Sequence, residues 1–194
     1  KMNKIHLEDK ILVAGASGMA GSAIVRALFK NGYGNPVHNG KIYTPTRTEL
    51  NLLNNEKVEE WLKFHQPDVV IIAAAKVGGI LANDNYSADF LLENLKIEIN
   101  LIESSFKNNV RRLLFLGSSC IYPKACNQPI KEEYLLNGGL ESTNEAYAIA
   151  KITGIKLCES LRKQHDFDAI SLMPTNLYGP GDNYHPTNSH VLPS

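Results

Sequence analysis

Lys10-Ile-Leu-Val-Ala-Gly-Ala-Ser-Gly-Met-Ala-Gly21 is the stretch of the sequence that decides the fold. Its first part, Lys10 to Ala14, is a short apolar run that predicts a buried strand. Gly15, Gly18 and Gly21 follow at once, and apolar residues then recur at helical spacing. Glycines between a strand and a helix permit a tight turn in which a pyrophosphate can approach the helix N-terminus. This context favours a dinucleotide-binding turn over an ordinary glycine-rich loop.

Apolar runs and helical patterns alternate along the rest of the chain. The predicted strands are Lys10–Ala14, Lys41–Thr44, Asp68–Ala75, Val110–Gly117 and Ala169–Met173, and the predicted helices are Met19–Asn31, Glu56–His65, Asp89–Asn108 and Asn144–Gln164. Continuous apolar strands are typical of a parallel sheet that is covered on both faces. The alternation of strands and helices predicts an α/β fold with a doubly wound parallel sheet, which is the NAD(P)-binding Rossmann fold. In such a fold ligands lie at the carboxyl ends of the strands.

The length of 194 residues fits one domain of ordinary size. From about Thr175 the sequence becomes rich in Pro, Gly, Asn and His, which predicts loops that leave the sheet. We therefore assign residues 1–177 to a dinucleotide-binding Rossmann domain. Residues 178–194 are then only the start of a substrate-binding region, and we expect the rest of that region to be absent from the sequence, as in a fragment.

Composition excludes several classes of protein. Lys plus Arg and Asp plus Glu both number 20, so no basic field exists to hold a nucleic acid. The longest apolar stretch, residues 69–75, is too short to cross a bilayer, and no signal segment precedes the first strand. The three cysteines match neither a redox pair nor a zinc site. We expect a soluble, cytoplasmic protein with reduced thiols, no bound metal and no membrane or nucleic-acid partner.

The end of the second predicted strand bears on the choice of cofactor. There an acidic residue would accept the ribose hydroxyls of NAD, whereas an arginine would pair with the 2′-phosphate of NADP. The segment ends in Arg47, which together with the Ser17 hydroxyl favours NADP(H). Glu49 lies close enough to leave NAD(H) open, and Arg47 as a solvated surface charge is the other interpretation.

Tyr147 and Lys151 are four residues apart inside a predicted helix, so their side chains share one face. A tyrosine that exchanges protons near neutral pH needs a positive neighbour to stabilise its phenolate. Lys151 can provide that charge and can also bind the nicotinamide ribose. Ser118, at the end of a buried strand, could donate a hydrogen bond to the carbonyl that the tyrosine protonates. The alternative is a core tyrosine beside a solvated lysine.

These features together resemble the extended short-chain dehydrogenase/reductase family of nucleotide-sugar enzymes, and the resemblance covers the whole chain. The strings that carry it are Ala73-Ala-Ala-Lys-Val-Gly-Gly79, Leu114-Phe-Leu-Gly-Ser-Ser-Cys-Ile-Tyr-Pro123, Tyr147-Ala-Ile-Ala-Lys151, Met173-Pro-Thr-Asn-Leu-Tyr-Gly-Pro180 and His185-Pro-Thr-Asn-Ser-His190. They look like the branch whose members epimerise a GDP-4-keto-6-deoxy sugar at carbons 3 and 5 and then reduce carbon 4 with NADPH. That branch forms homodimers through a bundle of the two long helices, and we expect the same here.

The resemblance implies roles for Cys120 and His190, which match the two residues that exchange protons at carbons 3 and 5. Both side-chain types titrate near enough to neutrality for this work. Without the resemblance, Cys120 is equally a small buried hydrophobe and His190 a surface loop residue. The implied catalytic set is Tyr147, Lys151, Ser118, Cys120 and His190.

The resemblance also implies a cofactor-binding set. It consists of Gly15, Ala16, Ser17, Gly18, Met19, Ala20, Gly21, Arg47, Asn51, Leu52, Leu116, Gly117, Ser118, Ser119, Lys151, Pro174, Thr175, Asn176, Leu177 and His190. Ser17 stands where relatives carry a second arginine for the 2′-phosphate, which weakens the preference for NADP(H). A 4-epimerase or 4,6-dehydratase of the same fold is the nearest alternative function, and a non-catalytic dinucleotide sensor is a more distant one.

Overall fold

Five parallel strands form the centre of the computed structural model, which describes residues 5–182 and, of Ile80 and Leu81, the backbone alone. The strands are β1 (Lys10–Ala14), β2 (Lys41–Tyr43), β3 (Val69–Ile72), β4 (Arg112–Leu116) and β5 (Ala169–Leu172). The helices are α1 (Met19–Lys30), α2 (Asn55–His65), α3 (Ile80–Asn85), α4 (Ser87–Lys107) and α5 (Glu145–His165). None of these described helices is long and apolar enough to cross a membrane.

The strand order is β2-β1-β3-β4-β5, and every neighbouring pair is parallel. In register, Val13 lies beside Ile71, and Leu113 lies beside Ala169. After β2 the chain crosses over β1 to form β3 on its other side. A reversal of this kind leaves a crevice at the carboxyl ends of the two strands, where α/β proteins bind their ligands.

Side chains alternate between the two faces of the sheet, and each face has its own apolar core. Ile11, Val13, Val69 and Ile71 point to one face, where they pack with residues of α1. The opposite face carries the larger core, to which α2, α4 and α5 contribute; its largest side chains include Leu62, Leu101, Leu113 and Phe115. Strands that are apolar on both sides are a consequence of this double cover.

The predicted α/β fold with a doubly wound parallel sheet is confirmed, although several element ends differ. β3 was predicted to reach Ala75 but ends at Ile72, because the amide of Ala73 makes the last bond to β1, donating to the Ala14 carbonyl at 2.9 Å. The short helix α3 was not predicted. Asn83 stabilises it by donating its side-chain amide to the carbonyls of Gly78 and Gly79, at 2.8 and 3.1 Å.

Candidate active site

The turn between β1 and α1 depends on two of its three glycines. Gly15 has a φ of +85°, and a Cβ there would lie 2.5 Å from the backbone nitrogen of Ala74. A Cβ on Gly21 would overlap the carbonyl oxygen of Gly15. Gly18 is less crowded, since its Cβ would lie 3.5 Å from that same oxygen. Gly15 and Gly21 therefore bring strand and helix together, while Gly18 leaves the outer side of the turn open to a ligand.

The N-terminus of α1 is suited to an anion. No side chain caps it, and its first turn contains no acidic residue. Unpaired N–H groups and the positive end of the helix dipole face outwards from such a terminus. Beside it is an open cleft whose lining is Ala16, Ser17, Ser22, Val25, Arg26 and Thr44. Arg26 also donates to the Ser22 hydroxyl at 3.2 Å, so its guanidinium lies in this cleft. These features fit the pyrophosphate and adenosine half of a dinucleotide.

Arg47 and Glu49 are both exposed on the loop after β2, but the carboxylate of Glu49 is bonded within that loop. Glu49 accepts hydrogen bonds from the Thr46 amide and hydroxyl, at 2.7 and 2.8 Å, and these bonds lower the pKa of its carboxyl. Arg47 is exposed, and none of the described residues forms an ion pair with it. The carboxylate that could have accepted ribose hydroxyls is thus engaged within its own loop, whereas the arginine is available.

Tyr147 and Lys151 lie one turn apart on α5, as their spacing predicted. Lys151 is only 2 % exposed, and its Nζ lies 5.8 Å from the centre of the Tyr147 ring and 4.7 Å from that of Phe115. The Oε1 atom of Glu98, on α4, lies 3.1 Å from the same Nζ. The lysine is therefore held inside the protein between two rings and a carboxyl group, and its stem does not reach solvent.

Ser118 and Cys120 follow the end of β4 in a short 3₁₀ turn that packs on α5. Ser118 is the extended N-cap of this turn, and its hydroxyl accepts a hydrogen bond from the Cys120 amide at 3.4 Å. The Ser119 amide donates to the Pro174 carbonyl at 3.2 Å and so joins the loop after β4 to the loop after β5. Parallel strands bring these loops to the same edge of the sheet.

Electrostatics keep the proton on both acidic groups of this cluster. Burial raises the pKa of Tyr147 well above its usual value, and the charges of Cys120 and Glu98 raise it further. Burial also raises the pKa of the Cys120 thiol, although the Ser118 hydroxyl and the Lys151 charge oppose the rise. In this state Tyr147 is a proton donor and Cys120 is a thiol.

A model of the NAD dependent epimerase/dehydratase family matches residues 11–194, which is nearly the whole chain. The chain belongs to this family. It is 56% identical over 185 residues to GDP-L-fucose synthase 1 of Arabidopsis thaliana, and 52% identical over 187 residues to the GDP-L-fucose synthase of Escherichia coli strain K12. These alignments cover 95% and 96% of the chain but only 55% and 56% of the relatives, so the chain spans about half of their length.

A solved structure from the same group of sugar-nucleotide proteins superimposes closely. It is a GDP-D-glycero-L-gluco-heptose synthase of Campylobacter jejuni, crystallised in the presence of NADPH. The TM-score is 0.90 at 39% identity, and the match covers 98% of this chain and 53% of the other. The fold of that structure is therefore shared by nearly the whole of this chain.

Of the residues predicted for this epimerase/dehydratase site, four lie close together: Tyr147, Lys151, Ser118 and Cys120. Leu116, Gly117, Ser119 and Pro174 lie along the adjoining strand ends, and Thr175, Asn176 and Leu177 are exposed on the loop beyond them. The glycine turn follows β1, whereas Arg47, Asn51 and Leu52 lie on the segment between β2 and α2, where the Leu52 carbonyl accepts from the Asn100 side chain of α4. His190 lies outside the described residues.

Sequence reasoning missed Asn94 and Glu98, two buried polar residues of α4 in this epimerase/dehydratase chain. The side chain of Asn94 accepts from the Lys76 amide at 2.8 Å and donates to the Lys76 carbonyl at 3.1 Å, which fixes the loop after β3. The sequence did contain a signal for both residues. They stand at helical spacing with Leu101 on the apolar stripe of the helix, where a polar side chain is unusual and suggests a specific role.

Proposed function

We propose that the protein to which this chain belongs is a GDP-L-fucose synthase. It would epimerise GDP-4-keto-6-deoxy-D-mannose at carbons 3 and 5 and reduce carbon 4 with NADPH. The observation that carries the proposal is the cluster of Tyr147, Lys151, Ser118 and Cys120 at the carboxyl ends of β4 and β5. Identities above 50% to GDP-L-fucose synthases support it.

Ser118 and Tyr147 are the residues that would hold the carbon 4 carbonyl. Hydrogen bonds from the two hydroxyl groups stabilise the enolate that forms when a proton leaves carbon 3 or carbon 5. Cys120 is suited to exchange protons at these carbons, because its thiol lies beside Ser118 and is within the electrostatic reach of Lys151. We assign the opposite face of the sugar to His190. Reduction requires a proton at the carbonyl oxygen, and Tyr147 carries one.

We propose NADP(H) as the cofactor, which when bound supplies the hydride for carbon 4. Gly18 and the N-terminus of α1 would hold its pyrophosphate on the open outer side of the turn, and Gly15 would set the turn close against the backbone after β3. Arg47 would pair with the 2′-phosphate, because its guanidinium is exposed while Glu49 is bonded to Thr46. Lys151 would reach the nicotinamide ribose. The NADPH in the similar heptose synthase structure supports this choice.

We propose further that the protein is a cytoplasmic homodimer. The three cysteines are free thiols, which agrees with a reducing compartment. α4 and α5 pack against each other and leave apolar side chains outside, with Leu92 55%, Ile99 40% and Ile149 41% exposed. A second copy would bury this surface in a four-helix bundle. We also propose that residues 178–194 begin the substrate-binding region that completes the pocket.

The deciding experiment is to mix the full-length protein with GDP-4-keto-6-deoxy-D-mannose and NADPH. Nicotinamide absorbance is followed and the sugar product is identified. Consumption of NADPH in proportion to the GDP-L-fucose formed supports the proposal. A 4-epimerase or 4,6-dehydratase would instead convert its sugar without net oxidation of the nicotinamide. NADPH oxidation with a GDP-4-keto-heptose but not with the deoxy sugar would instead assign the protein to the heptose chemistry for which the similar solved structures are named.

A further inference from the structure

Glu98 is a buried carboxyl group to which the proposed chemistry gives no part. Its side chain is 1% exposed and lies 3.1 Å from Nζ of Lys151, whose own side chain is 3% exposed. Within residues 5–182 neither oxygen of Glu98 has a partner with hydrogen-bond geometry, so the contact with Lys151 is an ion pair alone. A buried ion pair without further hydrogen bonds contributes little to stability, because desolvation offsets the attraction. Stability therefore does not explain the presence of this carboxylate.

The packing of α5 leaves room for the carboxyl group. Gly154 faces Glu98, and a Cβ at this position would lie 3.0 Å from Oε2 of Glu98 and 2.5 Å from the tip of the Phe115 ring. A glycine inside a helix costs about 1 kcal/mol relative to alanine. The helix keeps that unfavourable residue one turn from Lys151. The space that a side chain at position 154 would fill is thus taken by the Glu98 carboxyl group and the Phe115 ring, which both flank the Lys151 ammonium.

We propose that Glu98 is a positioning residue of the Tyr147–Lys151 pair, whose carboxylate anchors the Lys151 ammonium beneath the Tyr147 ring and releases it on protonation. The inference rests on the proposed function for its kinetic consequences. Its structural claim does not depend on that function: the buried Glu98 carboxyl group holds Lys151 when it is ionised and releases it when it is protonated. Glu98 would act through Lys151 and would not touch the sugar.

The charges around Glu98 give the proposal a pH signature. The titratable groups that face it are Lys151, Tyr147 and Cys158 from α5 and, beyond Lys151, Cys120 from the turn after β4. Burial raises the pKa of Glu98 to about 7, against the opposing charge of Lys151. The carboxylate in turn raises the pKa of Tyr147. The anchor is therefore complete above about pH 7 and is lost below it, where Glu98 gains a proton.

The kinetic test compares Glu98→Gln, Glu98→Asp and Glu103→Gln in the full-length protein with NADPH and the keto sugar. Glu103 is the matched control, because it too is a glutamate of α4 paired with a lysine, but its pair with Lys107, at 2.8 Å, is exposed. For the unmodified protein we expect kcat to fall as the pH drops below about 7. In Glu98→Gln, kcat falls roughly ten- to a hundred-fold at higher pH and that acid limb disappears, while KM for the sugar changes little.

Two further outcomes separate positioning from a structural role. The alkaline limb of Glu98→Gln moves to lower pH, because Tyr147 loses a negative neighbour. Glu98→Asp restores part of the rate and an acid limb, since it keeps the charge on a shorter stem. Glu103→Gln follows the unmodified protein. An acid limb that persists in Glu98→Gln with unchanged position overturns the proposal.

Infrared spectroscopy of glutamate-labelled protein tests the titration without turnover. We expect a protonated-carboxyl band that grows as the pH falls through about 7, that Glu98→Gln abolishes and that Glu103→Gln retains. If Glu98→Gln does not fold, loss of the glutamate band in Glu98→Asp makes the assignment. Absence of any such band from the folded protein overturns the inference. Failure to turn over the keto sugar, with the band present, rejects the proposed function and leaves the carboxyl–lysine couple in place.

Discussion

Tyr147 is the residue on which the proposed reduction at carbon 4 depends most directly. Its raised pKa means that the phenol holds its proton at neutral pH and can deliver it to a carbonyl oxygen. We expect Tyr147→Phe to lower kcat for NADPH oxidation by about 10²- to 10⁴-fold, which is the usual contribution of a positioned acid. NADPH affinity, measured by fluorescence titration, should change little.

Tyr33→Phe is the control for that substitution. Tyr33 packs with α1 on the opposite face of the sheet, and its hydroxyl makes only a 3.5 Å contact with the Ile5 carbonyl. Its kcat should equal that of the unmodified protein. An unchanged kcat in Tyr147→Phe would contradict the assignment of Tyr147 as the proton donor. Undiminished biological activity in a Tyr147→Phe variant that no longer oxidises NADPH would favour the alternative in which the fold only senses the dinucleotide.

Arg47 is the residue expected to distinguish the two nicotinamide cofactors. A guanidinium paired with a 2′-phosphate contributes about 1.5–3 kcal/mol, so Arg47→Ala should raise the Kd of NADPH by roughly ten- to a hundred-fold. The Kd of NADH, which lacks that phosphate, should stay within about twofold and is the internal control. Arg26→Ala should give a smaller loss for NADPH, because Arg26 lines the cleft beside α1 with Ser17 and Thr44 but already donates to the Ser22 hydroxyl. Equal losses for both cofactors would place Arg47 away from the phosphate.

At the scale of elements, the β1–α1 turn makes a steric prediction. Gly21→Ala would drive a Cβ into the Gly15 carbonyl, and because that oxygen is backbone and cannot turn aside as a side chain could, the turn must open. We expect a loss of at least about 1–3 kcal/mol in unfolding free energy by denaturant titration, together with weaker NADPH binding. Gly139→Ala is the matched control, since nothing lies within 4 Å of its Cβ, and it should stay within about 0.5 kcal/mol.

That turn and the strand–helix alternation were predictable because their signals are local. Gly15 and Gly21 stand beside an apolar run, and the Tyr147–Lys151 face follows from the geometry of one helix. The Glu98–Lys151 pair and the fixing of the loop after β3 by Asn94 were not predicted. Each joins residues distant in sequence, and only the packing of α4 on α5 and of α4 under β3 brings them together. Short α3 was missed because Asn83, rather than an apolar period, stabilises it.

At the scale of the whole molecule, the exposed apolar side chains of α4 predict an assembly. Leu92 and Ile99 are seven residues apart and therefore lie on one side of the helix, where a second copy would cover them. The double variant Leu92→Lys/Ile99→Lys should be a monomer by light scattering at micromolar concentration, whereas the unmodified full-length protein should be a dimer. Leu53→Lys, exposed outside α4 and α5, should remain a dimer. A dimer that survives the double variant would place the interface elsewhere.

Glu98 also makes the stability of the whole molecule depend on pH, with a sign opposite to that of most carboxylates. The pKa of its carboxyl is raised from about 4.5 to about 7 on folding, so the folded chain holds this proton more tightly than the unfolded chain. The contribution of protonated Glu98 to the unfolding free energy is complete below about pH 4.5 and is lost as the pH rises to about 7. At about 1.4 kcal/mol per pH unit the loss is about 3 kcal/mol.

Denaturant titration of the unmodified protein and of Glu98→Gln across this range isolates that contribution, because every other carboxyl is common to both. The unfolding free energy of the unmodified protein minus that of the variant should fall by about 3 kcal/mol between about pH 4.5 and about 7. A difference that stays constant would mean that Glu98 ionises with its ordinary pKa. In the expected case the protein keeps a carboxylate that weakens the fold at the pH where Lys151 needs its anchor, and such a cost is typical of residues retained for function rather than for stability.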